Sequence, residues 1–337
     1  MHWTGKRHRL LQFSKWLFTP LALVFLVVLL WQSRDTLVTL TQNIDAMWLA
    51  VSIVCWLSMY LTSPLFSFVM LRALGARESY WLLMRIFVHR LPAKYLPGGI
   101  WQTVARGYDL KESGISTGNV TQLLVYEVGM PILGALTVGT VLLLAAGQRP
   151  SGVVVLLQVT LGLAVAGFCL APLAHRFHIL RLSRLELRDY ATAVACLLLQ
   201  WCMIAGSFSA FILALDIEGL SSGPATIAGA YAVSWVVGYV ALFAPQGLGV
   251  LEYTAQQLID FPLTTAAGLS VVFCFRLLPA CLDMAAWLLL SGVGLVYCQR
   301  LRKSAPPGRR AGSAKVRFGS SLCKSRSKKL LNRKNQL

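Results

Sequence analysis

Apolar residues run along this chain in long stretches that are separated by short polar segments. The stretches that meet or approach the length of a membrane-spanning helix are 17–31, 46–71, 119–147, 153–174 and 191–215. Crossing the hydrocarbon core of a bilayer takes about 20 mostly apolar residues in an α-helix. The pattern therefore predicts an all-α polytopic membrane protein, for which hydropathy alone counts about eight spans.

Composition limits where any activity can lie. Hydrophobic residues make up 56% of the 337 residues and charged residues 13%, and the segment 299–337 is too polar to fold alone. We therefore expect the function to lie in the membrane segments, with neither an enzyme domain nor a cofactor. The 8 cysteines show no CxxC or Cys/His spacing, so we expect no metal site.

The distribution of cations predicts the topology, because short cytoplasmic loops are enriched in Lys and Arg. Cations at 6–15 place the N-terminus in the cytoplasm. Helix 153–174 has to deliver the cations of 176–188 to the cytoplasm, so helix 119–147 ends outside. The segment 80–118 must then start and end on the cytoplasmic side.

A largely apolar segment that starts and ends on one side of the membrane is typical of a re-entrant hairpin. Apolar residues precede "KYLPGG", in which Pro97, Gly98 and Gly99 break the helix, and a second amphipathic piece follows at 100–112. Non-helical backbone at membrane depth is tolerated only where protein or water satisfies it. We predict a cytoplasmic hairpin over 80–112 whose tip lines a cavity.

A second segment of this kind lies later in the chain. Between Arg188 and Arg276 there is no Lys or Arg, and "FAPQGLGVLEY" at 243–253 places a Pro-Gly break after the apolar run 225–243. A full crossing by that run would leave the break in the cytoplasm without positive charge, which the distribution of cations disfavours. We predict a second hairpin, 225–261, that enters from the outside.

The two predicted hairpins have a constant spacing. Three pairs of residues lie 148 positions apart, namely Pro97 and Pro245, Gly99 and Gly247, and Pro131 and Pro279. Taken as a repeat, this spacing divides the membrane part into 1–148 and 149–298, each with three crossings and one hairpin; coincidence is the alternative. An odd number of crossings inverts the second half, as in many secondary transporters, and predicts rocking of the halves around the hairpin tips.

Six full crossings and two hairpins place both termini in the cytoplasm. The first crossing, 17–34, follows the basic start, and we expect it to be a retained helix rather than a cleaved signal peptide. The tail 299–337 contains many cations and no acidic residue. It is predicted to be disordered and bound to the anionic inner leaflet, and we expect no nucleic-acid partner because no folded binding module accompanies it.

Charged side chains inside lipid are costly, so those of the predicted spans are candidates for function. Glu127 lies in helix 119–147, whereas Arg276 and Asp283 lie seven residues apart on nearly the same face of 267–295. One interpretation is that the three residues face a central cavity and neutralise each other or a charged head group. The other is a structural pair, such as Glu127 with Arg276, that joins the two halves.

The predicted hairpin tips place unpaired backbone N–H groups at the starts of helices. Gly98 and Gly99 precede one helix, and Gly247 and Gly249 precede or begin the other. Such a helix start binds anions, phosphate above all. The alternative is that the glycines and the prolines, including Pro245, only reverse the chain.

Charged residues near the tips differ between the two hairpins. Lys94 before the first tip and Arg106 two turns after it add positive charge, whereas Glu252 follows the second tip. This asymmetry suits a site that loads an anion on one side and releases it on the other. It also suits a site in which Glu252 takes a proton or a cationic group.

The two Pro-Gly segments resemble a known family. "KYLPGGIWQTVARGYDLKESGIS" followed by Glu127, and "APQGLGVLEY" followed by Arg276, are similar to segments of the lysylphosphatidylglycerol synthase transmembrane-region family, also described as flippase-like membrane proteins. The resemblance covers most of 17–298. It implies that Arg106, Glu127, Glu252 and Arg276 fall on the family's charged positions.

The resemblance implies a bacterial inner-membrane protein that moves an anionic phospholipid or a polyprenyl-phosphate-linked sugar between leaflets. Gln102 stands where many members have an acidic residue, and the sequence lacks the soluble aminoacyl-transferase domain of fused members. A stand-alone translocator is therefore expected. The alternatives are a non-transporting partner of a glycosyltransferase or lipid synthase, and a small-solute transporter or channel.

Overall fold

The structure of the chain is a computed structural model that describes residues 31–95, 101–147, 150–176, 185–241 and 244–303, together with Val28. Its α-helices in these ranges are α1 (Arg34–Gln42), α2 (Ala46–Leu57), α3 (Met59–Ala73), α4 (Tyr80–His89), α5 (Trp101–Glu112), α6 (Thr117–Ala145), α7 (Ser151–Arg176), α8 (Leu187–Ala214), α9 (Pro224–Val240), α10 (Val250–Leu258) and α11 (Thr265–Lys303). Two 3-10 turns, Leu91–Tyr95 and Pro245–Gly247, interrupt the helical path. No strand occurs in the described ranges, so this part of the chain is all-α, as the sequence predicts.

Five stretches of helix are long and apolar enough to cross a membrane, judged by length and composition. They are Ala46–Ala73, which combines α2 and α3, Thr117–Ala145, Ser151–Leu170, Leu187–Ala214 and Thr265–Ser291. Each corresponds to one of the predicted crossings, and the architecture is that of an all-α membrane protein. The remaining predicted crossing, 17–34, lies almost wholly outside the described residues.

Local sequence signals account for where some of the helices begin. The Asp45 carboxylate accepts hydrogen bonds from the backbone N–H groups of Met47 and Trp48, at 2.8 and 3.3 Å, and so caps α2. Pro224 lies in the first turn of α9, where its missing N–H leaves no intrahelical hydrogen bond unmade. With 17 residues, α9 is shorter than any of the five spans.

Helix α8 packs against α2, α3, α6 and α9. It meets α2 through a reciprocal pair of hydrogen bonds between buried serines. The Ser52 hydroxyl donates to the Ser207 carbonyl, and the Ser207 hydroxyl donates to the Ser52 carbonyl, each at 2.8 Å. Interhelical hydrogen bonds of this kind stabilise helix pairs in lipid, so they fix the register between α2 and α8.

Helices α6 and α9 approach each other closely at two glycines. A Cβ atom on Gly139 would lie 3.1 Å from the Gly229 carbonyl oxygen, and one on Gly229 would lie 2.8 Å from the Gly139 carbonyl oxygen. Neither position leaves room for a side chain, so the two backbones are in direct contact. Small residues at helix crossings permit this close packing in membranes.

Aromatic side chains pack around α11 in the hydrophobic core. Phe275 is fully buried, and its ring centroid lies 5.0 Å from that of Phe208, 5.3 Å from that of Tyr231 and 5.9 Å from that of Trp56. Edge-to-face pairs at such distances contribute about 0.5–1.5 kcal/mol each beyond the area they bury. Because Phe275 precedes Arg276, this cluster fixes the part of α11 that carries the arginine.

Two segments depart from the pattern of long helices, and they lie where the hairpins are predicted. In the first, α4 leads into the turn Leu91–Tyr95 and, beyond 96–100, into α5; α4 and α5 contact each other. In the second, α9 leads into Pro245–Gly247 and then into α10, which packs on α9. Both segments thus contain a helix, a break and a helix.

The chain divides after Ser291 into two compact units, of which the first contains all the helices up to that point. The second unit begins at Gly292, and its described part, 292–303, is helical. The first five residues of the predicted tail are therefore helical rather than disordered. Residues 304–337 lie outside the described part of the chain.

Candidate functional site

The two helix breaks contact each other. The side-chain amide of Gln246, in the second break, donates a hydrogen bond to the backbone carbonyl of Lys94, in the first. The two residues are 152 positions apart in the sequence. Tertiary packing therefore brings the two Pro-Gly segments together.

The structure describes the predicted tip residues of the second break but not those of the first. Pro97, Gly98 and Gly99 lie outside the described residues, so anion binding at the first tip stays a prediction. Pro245 and Gly247 are the first and last residues of the second 3-10 turn.

The backbone of the second break lies partly in the left-handed region. Gln246 has a φ of 53°, and Gly247 and Gly249 have φ values of 67° and 82°. A residue with a side chain is uncommon in this region, and holding it there costs about 1–3 kcal/mol. The surroundings hold Gln246 from both ends: its amide contacts Lys94, and its carbonyl accepts from Arg276 Nη2 at 2.7 Å.

A first buried ion pair joins α5 to α6. Arg106 Nη2 lies 2.8 Å from Glu127 Oε1, and both side chains are 10% exposed. The Ser67 hydroxyl of α3 donates to the same carboxylate oxygen at 2.5 Å and accepts from Arg106 Nη2 at 3.3 Å. On α4, the Phe87 ring centroid lies 5.3 Å from the guanidinium carbon. Four helices therefore contribute to this site.

Each member of this pair retains one buried polar atom without a hydrogen bond. Arg106 Nε and Glu127 Oε2 have no partner among the residues that the structure describes. Buried polar atoms are hydrogen-bonded in the great majority of cases. The pair therefore has one donor and one acceptor to which a further group could bind.

A second buried ion pair joins α10 to α11. Arg276 Nη1 lies 2.7 Å from Glu252 Oε1, and Glu252 is fully buried. The other carboxylate oxygen, Oε2, accepts from the Gly249 backbone N–H at 2.7 Å. Glu252 therefore occupies the position at the start of α10 where an external anion would bind.

The two pairs have the same placement with opposite charges. In each pair, one partner lies on the short helix that follows a break and the other lies on the long helix after it. The short helix carries the cation in the first pair, Arg106, and the acid in the second, Glu252. All four residues are candidates from the sequence, and the structure brings them together as two pairs.

Asp283 forms a third buried site, with partners from the first break and from α3. Lys94 Nζ lies 2.7 Å from Asp283 Oδ2, which also accepts from the Tyr95 hydroxyl at 2.7 Å. The Tyr60 hydroxyl donates to Oδ1 at 2.7 Å. The Lys94 ammonium lies 5.7 Å from the centroid of the Trp56 ring, within the range of a cation–π contact. The lysine thus contacts both a carboxylate and an aromatic ring.

One predicted pairing is wrong. Glu127 and Arg276 do not pair with each other, because Glu127 pairs with Arg106 and Arg276 pairs with Glu252. Each arginine meets the acid on the neighbouring helix of its own predicted half, whereas the pairs Lys94–Asp283 and Arg72–Asp189 join the two predicted halves. The alternative, in which these charged residues face a central cavity, stays a prediction.

Uncharged polar residues complete these sites, and they are not among the candidates from the sequence. They are Ser67, Tyr60, Tyr95 and Gln246. Serine and tyrosine recur throughout the apolar helices, so no local pattern separates the first three from the others. Gln246 is different, since it is the only side chain within the "PQG" break that can donate a hydrogen bond.

A further ion pair holds α5 against the end of α4. Arg90 Nε and Nη2 donate to Asp109 Oδ2 and Oδ1 at 2.7 and 2.6 Å, the two-pronged geometry of a strong pair. These hydrogen bonds raise the pKa of Arg90. Asp109 lies one turn after Arg106 on the same helix, so the Arg90 pair also positions the arginine of the first site.

The cations of these three ion pairs are the groups of the described residues to which an anion could bind. Three cations each have a carboxylate partner that is nine-tenths or more buried. Of the three cations, the Arg106 side chain is the most buried, at 10% exposed, so loss of its partner would cost the most. In the described ranges, no group of three His, Cys, Asp or Glu side chains could hold a metal ion.

Comparison with known proteins does not identify a family for this chain. A scan against family models finds none that matches, and a search of curated proteins finds no matching sequence. The resemblance of the two Pro-Gly segments to the lysylphosphatidylglycerol synthase transmembrane-region family therefore stays a prediction.

Proposed function

We propose that this chain is a membrane translocator that moves an anionic lipid between the leaflets of a bacterial inner membrane. The lipid is a phospholipid or a polyprenyl-phosphate-linked sugar. The main support is the set of buried ion pairs at Lys94, Arg106 and Arg276, which lie in or next to two helix breaks that contact each other. Ionisable residues inside membrane segments are costly and are typical of substrate and ion pathways.

A lipid phosphate would bind by replacing a carboxylate. Arginine holds phosphate in the same two-pronged geometry as it holds a carboxylate. A head group can therefore take the place of Glu127 at Arg106, or of Glu252 at Arg276, while its tails stay in the bilayer. The cation keeps a partner throughout, which avoids the large penalty of an unpaired buried charge.

The membrane topology belongs to the same proposal. It has two inverted halves, 1–148 and 149–298, with six crossings, two re-entrant hairpins and both termini in the cytoplasm. Support comes from the helix-break-helix order of both segments and from the charge-reversed pairs that follow them.

Lipid exchange in liposomes tests the proposal. Purified protein is reconstituted with head-group-labelled phosphatidylglycerol or with a labelled polyprenyl-phosphate sugar, and a membrane-impermeant quencher reports which label is in the outer leaflet. We expect the protein to accelerate exchange of at least one of the two lipids. Exchange no faster than in protein-free vesicles for both lipids would overturn the proposal and favour the non-transporting partner.

Two variants test the placement of the site. Arg106→Ala and Arg276→Ala should abolish exchange without loss of membrane insertion, because each removes the group that holds the phosphate. Arg72→Ala is the matched control, since Arg72 is 52% exposed and lies 3.6 Å from its partner Asp189. Exchange at the unaltered rate in both site variants would place the lipid elsewhere in the molecule.

A further inference from the structure

The three buried carboxylates differ in how fully their oxygens are hydrogen-bonded. Both oxygens of Asp283 accept hydrogen bonds, and so do both oxygens of Glu252. Glu127 accepts two hydrogen bonds on Oε1 and none on Oε2 from any described residue. One of the three acids is therefore left with an open acceptor in a buried site.

Arg106 is incomplete in the same way. Its Nη2 group serves Glu127 and Ser67, but its Nε–H has no acceptor among the described residues. The residue is 9% exposed, so water outside the protein does not readily satisfy this group. The same ion pair thus contains an unused donor and an unused acceptor.

We propose that Glu127 is a proton-binding site, and that it takes up one proton when a singly charged lipid phosphate binds at Arg106. This inference rests on the proposed lipid transport and names the ion that is coupled to it. The proton adds to the open oxygen Oε2. The free Nε–H of Arg106 supplies the second hydrogen bond of a two-pronged contact with phosphate.

The penalty for buried charge links the two events. Once phosphate replaces Glu127 at Arg106, an ionised Glu127 would be a buried carboxylate without a cation. One proton from solution adds to Oε2 and gives a neutral carboxylic acid, and no other covalent bond changes. The site then has the same net charge with phosphate and proton bound as it has when empty. Release of phosphate returns the proton and restores the Arg106–Glu127 pair.

The polar groups that face Glu127 come from α5 and α3. Helix α5 contributes Arg106, and the next charged residue along it, Asp109, is held by Arg90. Helix α3 contributes the Ser67 hydroxyl. Both contacts with the carboxylate are on Oε1, so neither blocks a proton from adding to Oε2.

The other helices packed on α6 bring no competing charge to this site. Helix α9 contains no charged residue, and α7 has basic residues only at its C-terminal end, 175–176. The charged residues of α8 lie in its first turn, where Asp189 pairs with Arg72. Nearby on α8, the Tyr190 hydroxyl donates to the Phe168 carbonyl. Among the described residues, Arg106 is thus the charged residue that contacts Glu127.

A pH gradient across liposomes tests the coupling in the unaltered chain, with whichever of the two labelled lipids is exchanged. One proton moving with one singly charged lipid is electroneutral. A gradient of one pH unit should therefore concentrate the label about tenfold in the leaflet on the alkaline side, and a membrane potential should not shift it. An even distribution with exchange still present would overturn the inference but not the proposed function. A complete lack of exchange would overturn both.

The variant Glu127→Gln tests whether this residue binds the proton, because an amide side chain does not bind a proton near neutral pH. We expect the variant to lose the pH-driven redistribution and to exchange lipid more slowly than the unaltered chain. Glu218→Gln, at an exposed acid, is the matched control and should redistribute lipid normally. Normal redistribution by Glu127→Gln would overturn the assignment.

An infrared measurement reads the same proton without transport. The carbonyl band of a protonated carboxyl group should appear when lipid binds to the unaltered chain, and it should be missing in Glu127→Gln. Persistence of the band in the variant would place the proton on another acid. This readout also decides the assignment if the variant inserts but exchanges no lipid.

Discussion

The ammonium group of Lys94 lies 2.7 Å from the carboxylate of Asp283, and the carbonyl of the same lysine accepts a hydrogen bond from Gln246. One residue of the first break therefore binds both the last long helix and the second break. Moving the first break away from both α11 and the second break requires that both of these contacts open or rearrange. Lys94 is thus a mechanical link as well as a candidate ligand for phosphate.

Removing the charge of Lys94 should destabilise the fold. Lys94→Met leaves the fully buried Asp283 with two tyrosine hydroxyls and no cation, and breaking a buried ion pair costs about 3–5 kcal/mol. We expect a lower thermal unfolding midpoint in detergent. Asp283→Asn in the same chain removes the second charge and should recover part of the loss.

Arg34→Met is the control for the lysine variant. Arg34 lies 3.4 Å from Asp35, whose side chain is 92% exposed, and exposed pairs contribute about 0–1 kcal/mol. The thermal unfolding midpoint of Arg34→Met should stay close to that of the unaltered chain. A Lys94→Met midpoint equal to that of Arg34→Met would contradict a structural role for the Asp283 pair.

Exchanging the charges within a pair should be tolerated in the first site but not in the second. In Arg106→Glu with Glu127→Arg, each buried charge keeps an opposite partner, so we expect the double variant to recover stability lost in the single variants. In Glu252→Arg with Arg276→Glu, the Gly249 N–H loses its acceptor and meets a cation at the start of α10. Folded yield after size-exclusion chromatography compares the two double variants.

Equal recovery of folded yield in the two double variants would contradict this prediction. It would mean that the carboxylate at the start of α10 contributes no more than a partner for Arg276. Each single variant serves as the reference for its own double variant.

Gly247→Ala should disrupt the second break. A Cβ atom at Gly247 would lie 2.6 Å from the Cα atom of Gly238 on α9, and the φ of 67° disfavours any side chain. Backbone atoms cannot move aside as a flexible side chain does. We therefore expect the free energy of unfolding to fall by more than the roughly 1–3 kcal/mol typical of overpacking. The thermal midpoint in detergent measures it.

Gly162→Ala is the matched control for the glycine variant. Nothing lies within 4 Å of a Cβ atom at this position in α7. Alanine is favoured over glycine inside a helix by roughly 0.5–1 kcal/mol, so this variant should be as stable as the unaltered chain or slightly more stable. Equal midpoints for the two variants would contradict the close contact at Gly238.

Cysteine labelling in cells tests the two hairpins. In a chain without native cysteines, Ser79→Cys and Gly114→Cys flank the first segment, whereas Ser221→Cys and Thr264→Cys flank the second; all four positions are exposed. Re-entrant hairpins predict that an impermeant maleimide labels the second pair from outside and leaves the first pair unlabelled until the membrane is permeabilised. Opposite accessibility within either pair would mean that its segment crosses the membrane.

Hydropathy was sufficient to predict the five membrane-length helices, because each of these spans is continuous in the sequence. Thr117–Ala145 contains a single charged residue, Glu127, so both the helix and its unusual acid are visible in the sequence. The short helix α10 was also predictable, since Pro245 and two glycines set off the residues that follow.

The choice of partners was not predictable, because it depends on how helices cross. Arg106 and Glu127 are 21 residues apart and Glu252 and Arg276 are 24 apart, on helices whose relative rotation the sequence does not specify. A different rotation would have allowed Glu127 to meet Arg276, as one interpretation supposed. Tyr60 could not be identified as a ligand of Asp283 for the same reason.

The contact of Gly139 with Gly229 restricts which parts of the molecule can move. Helix α6 belongs to the first predicted half and α9 to the second, and parting them would expose backbone that now lies in direct contact. Rocking of the two predicted halves against each other would have to separate α6 from α9 at this contact. The short helices α5 and α10 are held instead by ion pairs that can exchange partners. A transport cycle would therefore move these two short helices while the long helices stay in place.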